Sequence, residues 1–157
     1  MAFPHDLVEN WEFALAAQTI RAEDCLFYAL SVGMGRDPLD RGELPFVYGP
    51  EIRVLPTMAA VVCTPGFWVE DARMGIDLTR IFHGEQSITL HKPIPVGEEL
   101  VGHTRVSDMI DKGLGAGAVI EVECLVKDST GHPVWTVNRS AFLAGEGGFG
   151  GRNRSVP

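Results

Sequence analysis

The sequence predicts an α+β fold in which an antiparallel sheet curls around one short central helix. Three features carry that expectation. The hydrophobic period changes from helical to twofold near residue 85. Four alternating segments with short connections then follow one another. Finally, residues 58–62 are the only wholly apolar helical stretch available to cover the sheet, whose apolar face must be buried against another layer.

In the first half, TIRAEDCLFYALSVGMG (19–35) reads as a helix. Thr19 is placed to cap it, and Glu23 and Asp24 fall in the first turns, where the helix dipole favours negative charge. Leu26, Ala29, Leu30 and Gly33 recur at helical spacing, and Gly33 and Gly35 stop the element. After a connection rich in Pro, Gly and Asp, the short run LPFVY leads into LPTMAAVVCTPG. There Pro56 suits a first helical turn, while Thr64-Pro65-Gly66 ends the element after about two turns. A short buried helix over 57–63 is expected, with a buried strand as the rival.

In the second half, residues 86–92, 100–110, 118–127 and 133–143 alternate as strands and predict a four-stranded antiparallel meander. Leu100, Gly102, Thr104 and Val106 share one face, and Ile120, Val122, Cys124 and Val126 stand opposite Glu121 and Glu123. One domain over residues 1–144 accounts for these elements. Residues 145–157 read as a glycine-rich tail or linker, because five glycines within 145–151 make regular structure entropically costly.

Composition narrows the function. At 157 residues, 45% of them apolar, the chain buries enough surface for a single core without a staple. A net charge of −8 with scattered Lys and Arg lacks the electrostatic footprint of a nucleic-acid binder. Cys25, Cys63 and Cys124 lie far apart with no C-x-x-C pair, which argues against a zinc site or disulfide framework and for buried thiols in a reducing compartment. His5, His91, His103 and His132 lack metal-ligand spacing, so no metal site is expected. No stretch reaches the ~20 apolar residues of a membrane span, and MAFPHDLVENWEF lacks the basic and apolar regions of a signal peptide. The cytoplasm is the expected location, with no membrane and no nucleic-acid partner.

Two polar segments stand out. HGEQ (83–86) introduces a strand with a titratable ring and a carboxylate around a glycine, which suits either a satisfied turn or a binding rim. DKGLGAGAVIEVE (111–123) has the glycines of a phosphate loop but opens a strand instead of a helix, so it reads as a flexible hairpin. Lys112 at its entrance is either a solvated lysine or a cation beside backbone amides that hold an anion.

The segments YALSVGMGRDPLD (28–40), FVYGPEIRVLPTMAAVV (46–62), IFHGEQSITLHKPIPVGEEL (81–100), VSDMIDKGLG (106–115) and FLAGEGGFGG (142–151) resemble, in order and spacing, the N-terminal half of type 2, R-specific enoyl-CoA hydratases of the MaoC-like dehydratase group. HGEQ and GGFGG are the most specific pieces. The resemblance implies a hot-dog fold, pairing of two such units with the acyl-CoA between them, and a short central helix that leaves room for the acyl chain. It also implies that His83, Gly84 and Lys112 contact the CoA portion, with the residues around 58–62 lining the acyl slot. No cofactor is implied, since the CoA thioester is the substrate.

The chain departs from the family in one respect that bears on chemistry. The D-x-N-P-x-H motif, whose Asp and His activate water in the family, is not in this sequence. No catalytic residue is therefore assigned. The expected function is an acyl-CoA-binding hot-dog subunit of an R-specific hydratase, completed by a MaoC-like partner chain in a homo- or heterodimer. A non-catalytic acyl-CoA-binding module and a hot-dog thioesterase are the alternatives. The loop at Tyr48-Gly49-Pro50-Glu51 is shorter than the family's, leaving the role of Glu51 open, and the acyl group is open between fatty, steroid-side-chain and other bulky chains.

Overall fold

The computed structural model describes residues 4–151. Among them, five strands form one antiparallel sheet: β1 (Ala16–Thr19), β2 (Ile81–Leu90), β3 (Glu99–Asp111), β4 (Ala118–Lys127) and β5 (Pro133–Leu143). The helices α1 (His5–Glu9), α2 (Ala22–Ser31) and α3 (Leu44–Val47), with short 3-10 turns, occupy the first half. This is the α+β hot-dog arrangement, with the sheet closed over a short central turn of helix.

The strand order is β1-β3-β4-β5-β2, which corrects the expected four-strand meander. Only β3, β4 and β5 run as a meander; β2 lies on the far side of β5, and β1 adds to the other edge. The connection between β2 and β3 carries Pro93 and Pro95, which cannot donate ladder hydrogen bonds, so it crosses the sheet instead of folding back as a hairpin. His91 N–H donates to the Val134 carbonyl at 2.9 Å as the crossing begins, and Ile94 is buried along it.

Helix α2 starts later than expected. Thr19 belongs to β1, and the capping position is Arg21, whose N–H donates to the Asp24 carboxylate at 2.9 Å. Its buried stripe is Cys25 and Ala29, flanked by Tyr28, while Leu30 is 57% exposed. The helix therefore packs through small side chains that permit close approach, not through its largest ones.

The central element is a 3-10 turn at Pro56–Ala60, shorter than the helix expected over 57–63, and it buries Met58 and Ala59 against Trp135 and Val137. The chain leaves it through Cys63, which takes a left-handed conformation with φ 53° and donates its N–H to Gln18 Oε1 at 3.1 Å. Its carbonyl comes so close to β3 that a Cβ at Gly102 would lie 2.2 Å from it. Gly102 is thus the notch over which the chain exits. All three cysteines are free and buried; burial pushes the Cys63 thiol up to about 11 and the Cys124 thiol in the same direction. Neither is a thiolate near neutral pH.

Two apolar clusters cover the inner face of the sheet. One gathers Ile20, Met58, Ala59, Leu100, Val126 and Trp135 beneath the central turn. The other holds Val8, Met74, Met109, Ile120 and Leu143, with Trp11, Trp68 and Phe149 packed against it. Because the central turn stops at Ala60, the seam between the clusters is covered only by the segment that follows. Among the described residues no helix is long and apolar enough to cross a membrane.

Candidate binding site

HGEQ lies inside β2, which begins at Ile81 and not at Gln86. Pairing with β5 runs from His83 opposite Ala141 to Gln86 opposite Arg139, so Gly84 and Glu85 share the single partner Ser140. That is a β-bulge, the usual device for re-aiming side chains at a sheet edge. Glu85 N–H donates to Ser140 Oγ at 2.9 Å, and a Cβ on Gly84 would come within 2.5 Å of the same oxygen. The bulge interrupts the alternation, which is why the strand's first residues did not read as strand.

The 112–117 segment closes the β3–β4 hairpin, with Lys112 N–H donating to the Gly117 carbonyl at 3.1 Å. At its base, Asp111 is 5% exposed and accepts backbone N–H bonds from Gly113 at 2.8 Å, Gly148 at 2.7 Å and Gly150 at 2.7 Å. These bonds, that from Gly148 foremost, hold its carboxyl below the usual range. Residues 145–151, expected as a tail, are therefore docked onto the hairpin, with Phe149 packed against the second cluster. Residues 152–157 lie outside the described residues.

Gly84 and Lys112 line one cleft of about 550 Å³ on the outer face of the sheet, together with Glu121, Asn138 and Phe142. His83 points the other way. It lines a separate cavity of about 150 Å³ at the seam between the two apolar clusters, walled by Phe67, Trp68, Ile120, Val122 and Val137. Arg139 and Ser140 border both spaces. Two of the three residues singled out in the sequence thus meet, and the third stands across a shared wall. Met58, Ala59 and Val62, expected to line an acyl slot, are packed in the core and line neither space.

The inner cavity is apolar apart from a few groups. Trp68 is braced by Phe13, edge-on at 4.9 Å between ring centroids. The Thr104 hydroxyl is buried with no nitrogen or oxygen partner. The Arg139 guanidinium donates to the Ala60 carbonyl and has no carboxylate partner among the described residues; burial lowers its pKa. Arg139 was not singled out in the sequence, although a signal was present: it is the one charge in the inward-facing series Trp135, Val137, Arg139, Ala141, Leu143.

Residues 19–145 match the family described as MFE-2 hydratase 2 N-terminal domain. The chain belongs to that family. Among curated relatives of this MFE-2 hydratase 2 N-terminal domain, 3-hydroxyacyl-thioester dehydratase Y of Mycobacterium tuberculosis is 36% identical over 140 residues, 85% of this chain and 46% of that protein. Enoyl-CoA hydratase ChsH3 of the same organism is 32% identical over 133 residues, 82% of this chain and 46% of that protein. A solved MaoC-like dehydratase from Phytophthora capsici superposes with a TM-score of 0.74 at 27% identity, covering 98% of this chain and 53% of the other. The domain thus spans about half the length of the relatives it matches.

Proposed function

We propose that this chain is the acyl-CoA-binding hot-dog unit of an R-specific 2-enoyl-CoA hydratase, and that a second hot-dog unit, on a partner chain, supplies the Asp and His that move protons. The observation that carries this reading is the meeting of Gly84 at the β2 bulge with Lys112 at the β3–β4 hairpin on one cleft, directly across the sheet from an apolar cavity edged by His83. A CoA thioester has these two needs: its phosphates attract a placed cation and exposed backbone, and its acyl group requires a dry slot.

Gly84 leaves its part of the cleft wall without a side chain, and Lys112 offers the positive charge. Ser140 borders both spaces and His83 lines the inner one, an arrangement that suits the thioester end of the ligand. In the reaction, water adds across the trans-2 double bond to give the R-3-hydroxyacyl thioester. This chain's part is to hold and orient the ester; proton transfer belongs to the second unit. Strand β2 forms an edge of the sheet, so a unit docked there closes the cleft over the ligand.

Loss of the conjugated enoyl-CoA absorbance tests the reading. The chain alone is expected to give no turnover, and the chain combined with a MaoC-like unit bearing the D-x-N-P-x-H motif is expected to hydrate the ester. Hydration by the isolated chain overturns the division of labour.

A further inference from the structure

The inner cavity pairs an apolar lining with two polar groups that the fold satisfies only in part, Thr104 and Arg139. Thr104 and Cys124 are direct neighbours across β3 and β4, and Cys124 pairs with Val137 on β5. One step along the sheet, Val122 pairs with Arg139. The Thr104 hydroxyl and the Arg139 guanidinium therefore belong to adjacent rows of one cavity wall. A buried hydroxyl whose one neighbour is the weakly accepting Cys124 sulfur is poorly satisfied, and a half-buried cation without a counter-charge is costly. A guanidinium carries five donors, and the bond to the Ala60 carbonyl occupies one nitrogen.

Arg139 tethers the Ala60 carbonyl at the end of the central turn through one nitrogen. An alkyl group filling the cavity offers no hydrogen bond to the Thr104 hydroxyl or to the remaining N–H groups of Arg139, whereas an oxygen atom on the ligand is an acceptor for that wall. About 150 Å³ is room for a group of benzene size, not for a long chain, so the oxygen must lie within the few carbons that reach this wall.

Resting on the acyl-CoA reading above, we propose that Arg139 and Thr104 make the cavity selective for acyl groups that carry a keto or hydroxyl oxygen along the chain, beyond the thioester. The site distinguishes such acyl groups from plain alkyl chains because the unsubstituted chain strips water from two polar groups and returns nothing.

The test is calorimetric titration of the full chain with CoA esters of one chain length, plain and with a keto group at successive carbons from C4 outward. At one position the keto ester is expected to bind about tenfold tighter than the plain ester, the effect of a charge-assisted hydrogen bond. Thr104→Val and Arg139→Met are each expected to bring that ratio towards one; Thr104→Val preserves the Ala60 contact, so it remains informative if Arg139→Met unfolds. A flat series with the plain ester well bound overturns this proposal and leaves the acyl-CoA reading standing. A preference that survives both substitutions overturns the assignment to these residues. Absence of binding by every ester overturns the acyl-CoA reading and this selectivity with it.

Discussion

The carboxylate of Asp111 accepts the backbone N–H of Gly148 at 2.7 Å, joining the end of β3 to a segment 37 residues further along the chain. With Gly113 and Gly150 it forms a clasp between the DKGLG hairpin and the GGFGG stretch. Both stretches carry their glycines where N–H groups converge on one anion, and a Cβ at Gly147 would lie 2.6 Å from the Gly117 carbonyl.

Asp111→Asn is expected to lower the melting temperature and to expose residues 145–151 to proteolysis, because an amide accepts fewer of these bonds than a carboxylate. The pH dependence follows from the lowered pKa. A carboxyl with a depressed folded-state pKa contributes stability that is complete above its unfolded value of about 3.9 and is lost as pH falls through the folded value. Thermal melts of the two proteins should therefore differ most at neutral pH and converge in acid; a constant difference down to the lowest pH contradicts the clasp.

Gly84→Ala is expected to destabilise the protein by about 1–3 kcal/mol, since its methyl group displaces the Ser140 hydroxyl and with it the bond from Glu85 N–H. Ser140→Ala removes the obstructing oxygen. In a double-mutant cycle by urea unfolding, the pair should cost less than the sum of the single changes. Strict additivity rules out the close approach.

Gly102→Ala should be worse than Gly84→Ala. The obstacle at Gly102 is the Cys63 carbonyl, which is backbone and cannot rotate away, and Cys63 already sits at a positive φ. Equal urea midpoints for the two variants would count against the notch at Gly102.

The regular half of this fold was legible and the irregular half was not. Strands β4 and β5 begin and end where uninterrupted alternation does, at Ala118–Lys127 and Pro133–Leu143. β2 lost its first residues to the bulge at Gly84, and the four residues of β1 are too few and too exposed to show a period. Thr19 looked like a cap because composition cannot tell a capping hydroxyl from one in a strand. The partners of the site were legible only in part. Gly84 and Lys112 are singled out by the family resemblance of HGEQ and D-K-G, but nothing in D-K-G reveals that its aspartate binds glycines near residue 148. Which face of β2 each residue takes, and so the separation of His83 from Lys112, depends on the bulge.

The central claim is that the cleft bounded by Gly84 and Lys112 holds a CoA thioester. Titration of a saturated acyl-CoA into the chain at low and high salt, with wild type and Lys112→Ala, tests it most directly. Binding by the wild type that weakens with salt, and a loss of about two- to fivefold on removing the lysine together with a shallower salt dependence, is the predicted result. Wild-type and Lys112→Ala proteins with equal affinities and equal salt slopes, or no binding by either, would contradict it.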